Sequence, residues 1–265
     1  MSLEYQCPLC SKSLTKTQNT LRCESNHSFD FAKEGYVNLL PVQNKNSKQP
    51  GDSLEMVQAR RTFLEQGFYA FLQQALSDIT STIKGNNIID LGCGEGFYTH
   101  AIANNTQAQV YGVDISKSAI KYAAKRYPNC SFSVASISQA PLKEGFADIL
   151  ISVFAPLFTK ELDRLAKPNA TLVVASPGPW HLKELKAYIY QSVSEHTKVD
   201  VPEGFTETHQ DLITQQVTLS INDVRNLIMM TPFAWKFRPE HWETLEEKGE
   251  HHVTLSFYIT QFQKA

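Results

Sequence analysis

The sequence predicts an α/β protein: a doubly wound, mainly parallel sheet with a small zinc ribbon at its N-terminus. Three observations carry that prediction. Cysteines and a histidine cluster at the start of the chain, a Gly-x-Gly-x-Gly turn follows a short apolar run at residues 88–91, and strand-like and helix-like segments alternate from there on. The 265 residues suffice for one large domain and a small module.

The head comes first. Three of the five cysteines fall within residues 7–23, and in a chain with no leader-like start clustered cysteines point to metal or redox chemistry before disulfides. The spacing is Cys7-x2-Cys10-x12-Cys23-x3-His27. A Cys-x2-Cys turn aims two thiolates at one point, and a second pair from a neighbouring hairpin completes a tetrahedron around Zn²⁺. A redox Cys-x2-Cys site would need neither Cys23 nor His27. Four protein ligands make a closed, structural site, and its metal would supply much of the folding free energy of so small a module. The stretch "FDFAKEGYVNLLPVQ" (29–43) is apolar enough to lie against a partner domain, and "NKNSKQPGDS" (44–53) reads as a linker. The expected organisation is a ribbon over 1–40, a linker over 41–55 and a second domain over 56–265.

In that second domain Ser53 is the expected N-cap of the first of two helices, which break near Gly67. Ile88–Leu91 reads as a buried strand, Gly92, Gly94 and Gly96 form the turn, and a helix is expected from about Phe97. Strand, glycine turn and helix together make a backbone that approaches a ligand closely. "AQVYGVD" gives a second strand ending at Asp114, with Ser116 capping the next helix. An acid at that strand tip suits a ribose diol. Residues 130–136 and 147–154 continue as the third and fourth strands. "KELDRLAKPNATLVVASPGP" supplies another helix and a fifth strand. Cys93 inside the turn and Cys130 at a strand start read as small buried residues rather than nucleophiles.

"DLGCGEGFYT", "YGVDIS" and "LAKPNATLVVASPGP" together resemble the class I methyltransferases that use S-adenosyl-L-methionine (SAM), a Rossmann-like fold. Over its whole length the chain resembles a narrower family, the zinc-ribbon 23S rRNA (guanine-N1)-methyltransferases. "CPLC", "CESNHSFDFAKEGYVNLLPVQ", "PGDSLEMVQARRTFL", "SPGPWHLKELK" and "MTPFAW" carry that likeness. It implies zinc on Cys7, Cys10, Cys23 and His27, and SAM bound by Gly92, Gly94, Glu95, Gly96, Phe97 and Asp114, with Tyr69 and His181 also touching it. It implies an rRNA hairpin as substrate, guanine 745 as the expected position, and permits a homodimer. Two departures stand out. Ser136 occupies the place where many class I enzymes hold an adenine-binding acid, and "SVFAP" (152–156) replaces the motif of exocyclic-amine methylation. No residue is singled out as the base for the N1 proton.

The bulk numbers narrow the partners only a little. A net charge of −2 does not announce a nucleic-acid binder, but residues 1–50 carry six Lys+Arg against four acids. Lys12, Lys16, Arg22, Lys33, Lys45 and Lys48 are therefore the expected phosphate contacts, while Arg60 and Arg61 could face the cofactor. No apolar run reaches the ~18 residues of a membrane span, so no membrane partner and a cytoplasmic location are expected. Two other functions stay open on sequence: a small-molecule methyltransferase with residues 193–210 as its lid, and a non-catalytic SAM-binding protein whose ribbon recruits a partner.

Overall fold

The computed structural model describes residues 4–42 and 51–265. Lys45, Lys48 and most of the expected linker lie outside the described residues. In the head, β1 (Thr15–Thr17), β2 (Thr20–Arg22) and β3 (Ser28–Asp30) form an antiparallel sheet in that order. Gln18 takes a left-handed φ of 55° in the tight turn between β1 and β2, and the Asn19 amide donates to the Phe31 carbonyl at 3.0 Å. After the head, β4 (Val37–Asn38) leaves the ribbon and joins the main sheet.

Two helices follow, α1 (Leu54–Glu65) and α2 (Ala70–Thr82). Ser53 caps α1 by accepting from the Met56 amide at 3.1 Å. Gly67, at φ +84°, makes the break between them. The sheet then builds in alternation: β5 (Asn87–Leu91), α3 (Phe97–Asn104), β6 (Gln109–Asp114), α4 (Lys117–Arg126), β7 (Ser131–Val134), β8 (Ala147–Val153), α5 (Thr159–Leu165) and β9 (Ala166–Pro177). A one-turn helix α6 (Lys183–Lys186) precedes the long strand β10 (Phe205–Ser220). Then come α7 (Ile221–Met229), a 3-10 turn at Ala234–Lys236, α8 (Pro239–Lys248) and the last strand β11 (Glu250–Lys264).

The eight-stranded sheet has the order β10-β11-β9-β8-β5-β6-β7-β4. From β4 to β9 all neighbours are parallel, while β11 and β10 are antiparallel additions. The order reverses between β5 and β8, and ligands of such sheets sit at the carboxyl ends of the strands there. Strand β10 begins at Phe205, within the stretch 193–210 that the small-molecule reading takes as a lid.

The head is docked on the sheet. Val37 pairs with Ser133, the Leu39 amide donates to the Val134 carbonyl at 2.9 Å, and the Gln6 amide donates to the Pro141 carbonyl at 2.9 Å. The Tyr5 and Tyr111 rings meet edge to face, centroids 5.7 Å apart, and Tyr5, Val37 and Leu39 are buried. Cys7, Leu14, Leu21 and Cys23 thus share one apolar cluster with Tyr111 and Leu150 of the sheet.

Candidate cofactor cleft and metal centre

The ribbon brings Cys7, Cys10, Cys23 and His27 together, their ligand atoms all within 4.8 Å of one another. The Cys7 and Cys23 sulfurs lie 3.4 and 3.5 Å from His27 Nδ1, and Cys10 and Cys23 sulfurs are 3.7 Å apart. A tetrahedron with Zn–S and Zn–N bonds of about 2.0–2.3 Å has edges of about 3.3–3.8 Å, so the donor set fits zinc in type and spacing. Asn26, at φ +64°, turns the chain between Cys23 and His27.

At the other site, β5 ends in a turn where Gly92, Gly94 and Gly96 all have φ between +55° and +84°. A side chain is excluded twice over at Gly92, where a Cβ would come 2.6 Å from the Ala155 Cβ. Two acids then define the cleft. Asp114, at the tip of β6, accepts from the Gly94 amide at 3.0 Å and from the Ser116 amide at 2.7 Å. Burial raises its pKa, and those two backbone bonds oppose the rise. Glu95 is buried, and among the described residues neither of its carboxylate oxygens meets a donor from another residue. Burial pushes Glu95 up to about 7, with the Arg60 guanidinium pulling it down.

Of the two arginines expected near the cofactor, Arg60 pairs with Asp52 and lies close to the Gly94 position and to the Glu95 and Asp114 charges. Arg61 pairs with Glu65 at 3.6 Å, lies over the Tyr122 ring and lines a cavity of about 510 Å³ with Glu95 and Phe97. Below the turn, Thr99 donates to Asp90 Oδ2 at 2.6 Å, and burial lifts Asp90 to about 7. The orphaned Glu95 acceptors, the open glycine backbone and the braced Asp114 fit a ligand with an ammonium-bearing amino-acid end and a ribose. SAM is such a ligand.

Tyr69 and His181 also converge on this end of the sheet, in a cluster with Phe154 and Phe257. Tyr69 lies 6.5 Å from His181 and 5.0 Å from Phe257, centroid to centroid, and His181 is 4.8 Å from Phe257. Both are buried. His181 Nδ1 accepts from the Ser256 amide at 3.2 Å, which sets a neutral ring with its proton on the other nitrogen. Burial, with the Lys186 and His196 charges, pushes its pKa down to about 3. Phe154, right after β8, is exposed and takes φ +56°, a left-handed conformation that bulky side chains rarely adopt.

Ser136 lies beyond β7, bonded to Ser138, and lines a cavity of about 450 Å³ with Leu39, Leu40 and Gln139 between the head and the sheet. Cys93 and Cys130 are free thiols whose pKa values burial raises, Cys130 to about 12, so neither is a poised nucleophile. Sequence missed Arg60's partner Asp52, the empty acceptors of Glu95 and the left-handed Phe154. Only the acid of "PGDS", eight residues before Arg60 on a capped helix, hinted at the first.

Residues 5–48 match the family model described as "RlmA, N-terminal", a zinc ribbon, and residues 83–249 match that of a methyltransferase domain. The 23S rRNA (guanine(748)-N(1))-methyltransferase of Streptomyces fradiae is 32% identical over 96% of this chain and 95% of its own length. YxjB of Bacillus subtilis (strain 168), which carries a provisional 23S rRNA (guanine-N(1)-)-methyltransferase name, is 29% identical over 96% of this chain and 95% of its own. Among solved structures, phosphoethanolamine N-methyltransferase 2 of Haemonchus contortus, in complex with S-adenosyl-L-methionine, is 16% identical with a TM-score of 0.50. That match covers 80% of this chain and 57% of that one and speaks for the fold. The likeness runs from the ribbon to the last strand, and the chain belongs to the family of zinc-ribbon 23S rRNA (guanine-N1)-methyltransferases.

Proposed function

We propose that this protein transfers the methyl group of SAM to N1 of a guanine in a hairpin loop of 23S rRNA. SAM supplies an electrophilic methyl group on a sulfonium. With SAM bound, N1 would bond to the methyl carbon as the carbon–sulfur electron pair stays on sulfur, and the N1 proton would pass to solvent water. The chain's part is mainly positioning, which holds the reacting atoms in line and replaces a chance encounter. In this reading Asp114 takes the ribose hydroxyls, and the turn from Gly92 to Phe97, with Glu95, takes the amino-acid end. Tyr69 and His181 close the cleft on its apolar side. Cys7, Cys10, Cys23 and His27 hold a structural zinc, and residues 1–40 act as an RNA-recognition module for the domain over 56–265.

The observation that carries the reading is the fusion of the two sites. The ribbon's own outgoing chain becomes strand β4 of the sheet whose β5 and β6 end in the cofactor cleft. A ribbon held rigidly to the methyl-transfer edge suits a large, structured substrate better than a metabolite.

The test is methyl transfer from labelled SAM to unmethylated 23S rRNA, with product nucleosides resolved by mass spectrometry and the position mapped by primer extension. A 1-methylguanosine product supports the reading. Tight SAM binding with no label in deproteinised or ribosome-assembled rRNA overturns it.

A further inference from the structure

Among the described residues the exposed large aromatic side chains are Phe154, Phe158, Trp180, Tyr190 and Trp235. Four of them follow the carboxyl ends of β8 and β9, the end of the sheet that carries the cofactor cleft. The fifth, Trp235, is 78% exposed on the 3-10 turn and is tied to the others through lysines. Lys236 places its ammonium 4.1 Å from the Tyr190 ring centre and 5.4 Å from that of Trp235. Lys183 lies 6.0 Å over Trp180. Lys186 joins the two parts, donating to the His181 carbonyl at 2.7 Å and lying 5.9 Å over Phe233, two residues before Trp235. The rim therefore runs from His181 at the cleft out to Trp235.

A lone exposed ring would mean nothing. Rings alternating with ammonium groups form a platform of a particular kind: flat faces for stacking and point charges for phosphates between them. Single-stranded nucleic acid presents that pattern. A paired helix keeps its bases stacked inside and offers these rings no free face. Protein partners are a poorer match, because lysine is depleted where aromatic residues dominate a protein interface.

We infer that the Trp180–Tyr190–Trp235 rim, with Lys183 and Lys236, binds the unpaired nucleotides that flank the target guanine. The inference rests on the rRNA-methyltransferase reading and adds a second RNA contact, on the catalytic body rather than the ribbon. The test measures binding of a labelled rRNA hairpin with an unpaired loop, and of a fully paired duplex of equal length, to Tyr190→Ala, Trp235→Ala and Lys236→Gln. Each aromatic truncation should weaken hairpin binding about 5- to 100-fold and leave its salt dependence intact. Lys236→Gln should lower the salt slope by about 0.7 for a single-stranded contact. SAM affinity and duplex binding should not change. Unaltered hairpin affinity in the aromatic variants, or equal weakening for the duplex, overturns the inference. If the wild type forms 1-methylguanosine while these variants hold hairpin normally, the rim assignment alone fails. If the wild type forms none, the underlying reading fails and takes the rim with it.

Discussion

The Gly94 amide donates to Asp114 Oδ2 at 3.0 Å, so the acid at the tip of β6 braces the turn that follows β5. One carboxylate thus shapes the loop and offers its remaining lone pairs to a ligand. Asp114→Asn removes the charge and keeps a single acceptor for the Gly94 and Ser116 amides, whereas Asp114→Ala removes the charge and both acceptors. A hydrogen bond to a charged group is worth about 1.5–3 kcal/mol. Calorimetry should find SAM affinity reduced at least about tenfold in Asp114→Asn and further in Asp114→Ala, with thermal stability falling in both and more in the latter.

With Glu95 on the ammonium of SAM, as proposed above, binding acquires a pH dependence. The folded pKa of Glu95 is raised to about 7, so the carboxylate that would meet an ammonium is mostly protonated at pH 6 and mostly ionised at pH 8. Affinity for SAM should rise about tenfold across that interval. Glu95→Gln should bind weakly at both pH values, with a flat profile.

His181 has its pKa shifted the other way, and its titration acts on stability. Its folded pKa, pushed down to about 3, lies below the ordinary 6.5, so the folded state takes up the proton less readily than the unfolded chain. Its contribution is present above pH 6.5 and is lost as pH falls toward 3. At pH 5.5 the loss is about 1.4 kcal/mol. His181→Phe lacks the titration, so the stability gap between wild type and variant should shift by that amount between pH 7.5 and 5.5 in urea unfolding.

Gly92 and Gly145 form a matched pair. Both have positive φ, but a Cβ at Gly92 meets Ala155 at 2.6 Å while one at Gly145 meets nothing within 4 Å. Gly145→Ala should cost about 1–2 kcal/mol, the left-handed strain alone. Gly92→Ala adds overpacking and should cost about 2–5 kcal/mol in the same denaturation assay.

Zinc removal should be felt across the molecule. Cys7 and Cys23 share an apolar cluster with Tyr111 and Leu150 of the main sheet. Chelation, or Cys23→Ser, should therefore lower the melting temperature of the methyltransferase domain itself. A scan in which that domain melts unchanged would argue that the two parts are energetically separate.

Much of this was legible in the sequence because the signals are local. The Cys7–His27 spacing lies on one small hairpin unit, and the run from Ile88 to Phe97 is strand, turn and helix within ten residues. Asp114 and the caps Ser53 and Ser116 are likewise punctuation at element ends. The rest depends on pairs far apart in the chain or on conformations that composition does not encode. Strand β4 is two residues long and has no periodicity to read. Strand β10 is mostly polar and solvent-facing, so its first residues looked like a loop. Arg60 reaches the cleft only because α1 is laid across it, and nothing in "SVFAP" says that Phe154 will turn left-handed. The lysines expected to hold RNA lie in the basic head, whereas the alternation of rings and ammonium groups on the body emerges only when Tyr190 and Lys236 are brought together in space.

The pairing of Val37–Asn38 with Ser133–Val134 has one more consequence. Without it, β7 would end the sheet with unsatisfied amides and carbonyls beside buried Phe132 and Val134, a template for another chain to add to. The ribbon's tail occupies that place with a strand too short to be extended in turn. A head known by its metal is thus also a guard on the sheet's flank, and a version cut back to the catalytic body would be expected to stick to itself.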